Sequence, residues 1–144
     1  MALDLLGGTP GEPEVLRYLN GIEDTSTWPA YWQQVWGARA LLYVWSDDAG
    51  PAVVAGLSDP AWRVAETCLR VAARRELAEA CDGAVRLAGH RLPRVRGHAA
   101  RLLGVAGERE HLVTVERLLT DDDEAVRRHA ARALERLERR LDLV

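Results

Sequence analysis

EAVRRHAARAL, Glu124 to Leu134, sets Val126, Ala130, Ala131 and Leu134 at helical spacing between charged residues. RVRGHAARLL, Arg94 to Leu103, repeats it with a 31-residue offset, and Arg63 to Ala72 carries a third version of the same apolar spacing. From anchors Val64, Val95 and Val126, the positions four, five and eight residues on are Cys68, Leu69, Ala72; Ala99, Ala100, Leu103; and Ala130, Ala131, Leu134. A fourth copy, anchored on Trp36 28 residues before Val64, supplies Ala40, Leu41 and Val44. Apolar residues at this spacing line one face of a helix. Self-similarity at a fixed period of about 20 to 50 residues marks a solenoid, because one helix pair alone cannot bury its apolar face.

Punctuation around these copies predicts roughly eight helices. Thr9-Pro10 and Glu12-Pro13 open a short first helix that Gly21 stops. Thr27 caps a long helix from Trp28 to Trp45, a short one follows Gly50-Pro51 and ends near Leu57, and Asp59-Pro60 starts the next, about 60 to 73. Beyond Arg74-Arg75 come helices over about 76 to 88, from Pro93 to a C' glycine at Gly107, from Arg109 to Leu119, and from Glu124 onward. The acidic run Asp121-Asp122-Asp123-Glu124 caps the last of these and complements its dipole. It lacks the sixth-position glycine and distal Glu of a calcium loop.

Composition narrows the functional classes. The 144 residues suit one domain, with residues 1–27 as a capping segment and 28–144 as repeats. A net charge of -3 argues against the bulk attraction behind non-specific nucleic-acid binding. All 19 basic residues are Arg, as expected from a GC-rich genome. With neither a basic leader nor an apolar stretch of about 18 residues, the reading is of a soluble cytoplasmic protein without membrane partners. Cys68 and Cys81 lack a CxxC spacing and read as free thiols. They are equidistant from the Arg74-Arg75 turn and are expected to be buried neighbours.

The Glu124–Leu134 and Arg94–Leu103 segments resemble the first helix of a HEAT-like repeat, particularly the short bacterial type similar to PBS-lyase HEAT-like repeats. The copy at Arg63 to Ala72 departs from the others, with Ala65 where they have Arg96 and Arg127. The resemblance implies an all-α, right-handed α-solenoid of antiparallel helix pairs that binds other macromolecules through its second helices. It implies no catalytic residues and no cofactor. Some HEAT-like proteins are di-iron hydroxylases built on His-Glu pairs, but none of His90, His98, His111 and His129 is followed by Glu, so no metal site is assigned. No phosphate loop or recognisable triad spacing marks an enzyme.

Three stripes remain to carry function. On the second helices Glu79 and Glu110 are 31 residues apart, as are Arg86 and Arg117, with Asp82 and Thr114 between them. Together they form a mixed-charge groove suited to a protein partner. Leu77, Cys81, Ala84, Ala88, then Leu112, Val115 and Leu119 are expected to point inward. Arg70, Arg101 and Arg132 make a ladder on the first helices, the basis of an alternative nucleic-acid-binding reading. No interleaved aromatic accompanies it. Finally, Tyr31, Val35, Leu42 and Trp45 form an apolar row, covered either by Val15, Leu16 and Leu19 of the N-terminal segment or by a second copy in a homodimer.

Overall fold

The computed structural model describes residues 31–144. The expected first helix, the Thr27 cap, Trp28 and the 1–27 capping segment lie outside the described residues. Seven α-helices follow: α1 Tyr31–Ala40, α2 Ala49–Gly56, α3 Trp62–Arg74, α4 Cys81–Leu87, α5 Pro93–Ala106, α6 Leu112–Leu118 and α7 Glu124–Arg140. Among the described residues there is no strand. Short 3-10 turns, Ala78–Ala80 and Arg109–His111, precede α4 and α6 at positions 31 residues apart, so the repeat extends to irregular structure. By internal contacts the chain divides into two compact units, Met1–Val71 and Ala72–Val144, the division falling inside α3.

In the first unit α1 ends earlier than expected. The N–H groups of Leu41, Leu42 and Tyr43 turn back to carbonyls three residues before them, tightening the last turn, and Trp45 lies beyond the helix. Ala38, Leu41, Ala49, Val53, Leu57, Val64, Cys68 and Leu69 are buried. Gln34 Nε2 donates to Asp59 Oδ2 at 3.1 Å, and the Ala61 N–H donates to Asp59 Oδ1 at 2.8 Å.

The second unit repeats that pattern two periods of 31 residues later. Arg96 donates to Asp121, and the Asp123 N–H donates to Asp121 Oδ1 at 2.9 Å. The hydrogen bonds therefore place α1 in the 31-residue register, three residues from the Trp36 alignment. Burial agrees. Gly37, Ala38 and Leu41, the 31-residue equivalents of Cys68, Leu69 and Ala72, are buried, whereas Val44 is 73% exposed. Three residues is close to one helical turn, which is why the offset copy also reads as an apolar face.

Within the second unit α5 and α7 lie side by side in the same direction. Gly97 meets the His129 side chain, and Gly104 meets the backbone of Ala133. A β-carbon on Gly104 would stand 2.7 Å from Ala133 Cα, so glycine is what lets the helices approach this closely. At the equivalent positions α7 carries Arg128 and Glu135, which pair along their own helix with Glu124 at 3.8 Å and Arg139 at 2.7 Å. Val95, Ala99, Ala100, Leu102 and Leu103 of α5 are fully buried against this unit's core of Val115, Val126, Ala130 and Leu137. The corresponding Ala131 and Leu134 of α7 are exposed and half-buried, with no helix described beyond them.

The element ends follow from local chemistry. Pro93 opens α5, and the Asp123 carboxylate caps α7 by accepting from the Val126 N–H at 3.0 Å. Asp59 begins its helix less directly, through a turn to Ala61, with α3 starting at Trp62. Glu76 closes α3 in the left-handed conformation, φ 53°, with the Leu77 N–H bonded to the Ala72 carbonyl. Gly107, expected as the C' glycine, follows α5 in an extended conformation, and its N–H donates to the Leu103 carbonyl.

Candidate functional site

Arg86 and Arg117 sit in the last turns of α4 and α6, where cations complement the negative helix end. Both are exposed, and both line one cleft of about 480 Å³ in the second unit. Its other polar walls are Arg96, Thr120, Asp121 and Asp122, and Val85, Ala88 and Leu118 supply an apolar floor.

Arg96 and Asp121 form the rigid wall. The guanidinium makes two parallel bonds to the carboxylate, Nε to Oδ2 at 2.7 Å and Nη2 to Oδ1 at 2.8 Å. Nη1 is used as well, donating to the carbonyls of His90 at 2.9 Å and Arg91 at 3.2 Å. The Arg96 hydrogen bond holds the Asp121 carboxyl below the usual carboxylate range, against the upward push of burial and with help from the Asp123 N–H. Arg127, one period after Arg96, makes the same carbonyl clamp, to Asp121 at 2.7 Å and Asp122 at 3.1 Å. These bonds fix the loop that carries Thr120 to Asp122 into the cleft.

Of the residues expected in the groove, Glu79, Asp82 and Glu110 are exposed but lie outside the cleft lining. Thr114 is a correction: it is buried, 3% exposed. The 3-10 turn winds three residues per turn and shifts the phase of α6, so its inward stripe is His111, Thr114, Val115 and Leu118, with Leu112 and Leu119 half-buried. Gly83, one period before Thr114, is buried likewise. His111 is held by the Glu108 N–H, which donates to its Nδ1 at 2.8 Å. Val113, 64% exposed on α6, is an apolar surface residue that groove reasoning overlooked.

The first-helix arginines fall differently. Arg101 and Arg132 line a second cleft with His129 and Arg136, between α5 and α7, while Arg70 is exposed on α3. The apolar row is also corrected: Val35 and Leu42 are buried within the chain, and Tyr31 and Trp45 are half-buried. Two of the four residues offered as a dimer face are thus unavailable to a second copy. Among the described residues, no group of three or more His, Cys, Asp or Glu side chains could hold a metal ion. No helix among them is long and apolar enough to cross a membrane.

Among the described residues every regular element is helical, and hydrogen bonds, 3-10 turns and buried positions recur at 31-residue spacing, consistent with an α-solenoid. Residues 85–142, from within α4 to just beyond α7, match the family model described as HEAT repeats. No curated protein matches the chain. Residues 85–142 of the second unit are thus similar to HEAT repeats, a repeat type that generally serves as a protein-interaction scaffold.

Proposed function

We propose that this chain is a non-enzymatic interaction module that holds a segment of a partner protein in the Arg86/Arg117 cleft. The observation that carries the reading is the convergence of two cations, one period apart, on an apolar floor beside the exposed Asp122. Mixed charge around an apolar centre suits a polypeptide, whose backbone and side chains offer both signs, better than a polyanion. The exposed Val113 on the same helix as Arg117 adds apolar contact area.

The test is charge reversal. Arg86→Glu with Arg117→Glu removes the cations at exposed positions, where substitutions usually shift stability by no more than about 0.5 kcal/mol. Capture of partner proteins from the native cell should fall while the melting curve stays put. Arg70→Glu with Arg132→Glu is the matched control on first helices and should leave capture intact. Unchanged capture by the cleft variant, together with loss in the control, would move the binding surface to the other helices.

A further inference from the structure

The α5/α7 cleft has a different character from the site above and shares no lining residue with it. Arg101 from α5 and His129, Arg132 and Arg136 from α7 surround about 340 Å³, over a floor of Gly104, Val105 and Ala133. The close backbone approach at Gly104 and Ala133 brings these cations to one small volume. Among the described residues no carboxylate engages Arg101 or Arg132. Glu135, adjacent in sequence, is taken by Arg139 at 2.7 Å, and Arg136 reaches only the exposed Glu76 at 3.8 Å. His129 registers the accumulated charge: burial first, then His98, Arg132, Arg101 and Arg128, hold its pKa below the ordinary histidine value.

We infer that this cleft binds a compact phosphate-class oxyanion, either inorganic phosphate or the phosphoryl end of a small molecule. Guanidinium groups present paired donors that match the oxygens of a tetrahedral anion, and three of them with an imidazole offset a dianion's charge. The ligand is small because the donors are concentrated. A duplex tracked by its backbone needs about 6 to 10 phosphate contacts spread along a surface, on a chain whose overall charge here is -3. Apart from the His129 imidazole the cleft lining holds no aromatic ring, and no Phe, Tyr or Trp offers a stacking platform for a base.

The experiment follows the His129 imidazole resonance in the full chain at low ionic strength during titration with inorganic phosphate and with pyrophosphate. Chloride at matched ionic strength is the blank. Both oxyanions should give a saturable shift, and the His129 pKa should rise, because a bound anion reverses the field of its neighbours. Arg101→Gln with Arg132→Gln should weaken binding by at least about tenfold, as expected for lost charge-assisted hydrogen bonds. Arg132→Lys, which keeps charge without the fork, should fall between, and Arg86→Gln with Arg117→Gln should bind like the parent. A response that chloride reproduces, or that survives unchanged in the Arg101/Arg132 double variant, overturns the site. Arg101-dependent binding of a duplex of about 20 base pairs more tightly than pyrophosphate would overturn the compact ligand in favour of a polyanion.

Discussion

Arg96 and Asp121, 25 residues apart in sequence, meet through two parallel hydrogen bonds of 2.7 and 2.8 Å and tie the body of α5 to the loop that leads into α7. Their side chains are 16% and 9% exposed, so the pair is largely shielded from solvent and salt. Asp121→Ala should cost about 2 to 3 kcal/mol, in the range of a hydrogen bond to a charged group plus a stranded guanidinium. Arg96→Lys should recover only part, since ammonium lacks the two-pronged match. Because the folded pKa of Asp121 is depressed, the pair's contribution is fully present above the ordinary aspartate value of about 3.9. It is lost as pH falls through the folded value. Urea denaturation of parent and Asp121→Ala proteins at neutral pH and at about pH 3 should show the difference between them shrinking in acid.

Two glycines of α5 should respond differently to the same substitution. Gly104→Ala drives a methyl to 2.7 Å from Ala133 Cα and 2.9 Å from its Cβ, contacts only a shift of α7 can relieve. The expected cost is about 1 to 3 kcal/mol, typical of overpacking. Gly97→Ala meets the edge of the His129 ring at 3.1 Å, a side chain that can turn aside. There the gain in helix propensity, up to about 1 kcal/mol, should cancel or outweigh the contact. Thermal melts of the two variants should therefore bracket the parent or leave Gly97→Ala close to it.

Cys68 and Cys81 are both buried and free, and burial pushes their thiols up to about 12 and about 11, with Asp59 and Asp82 respectively adding to the effect. Thiolate is the reactive form, so a disulfide reagent at pH 8 should label the native chain only as fast as it opens, and should titrate two thiols at once in denaturant. Raised folded pKa values carry a sign: the unfolded chain ionises first as pH climbs past the ordinary thiol value of about 8.5. The thiols' contribution is complete below that pH and declines until pH passes the folded values. Rapid labelling of either cysteine in the native protein at pH 8 would contradict this environment.

The repeat was legible because each first helix needs small or apolar residues at fixed spacing, and Val64 and Val95 with their partners satisfy that need in the core, as Val126 does with Ala130 while Ala131 is exposed and Leu134 half-buried. Arg96 and Arg127 were also visible as a recurring pair. Their carbonyl clamp was not, since it depends on where the preceding loop lies. The Trp36 alignment missed by nearly a turn because aromatic and aliphatic residues surround the true register on several faces of α1. Arg86 and Arg117 reached the same cleft as their spacing suggested, but Thr114 did not reach the surface. A 3-10 turn changes helical phase without a composition signal, and only the buried Gly83 one period earlier hinted at it.

Site-specific photocrosslinking distinguishes a partner protein held on the second helices, α4 and α6, from one held on the first helices. A photoreactive residue in place of the exposed Val113 should give a discrete protein adduct in the native cell. That adduct should disappear when Arg86→Glu and Arg117→Glu are added, and the same probe in place of Arg132 on α7 should give none. A discrete adduct from position 132 with none from position 113, in proteins of equal stability, would contradict binding on the second helices.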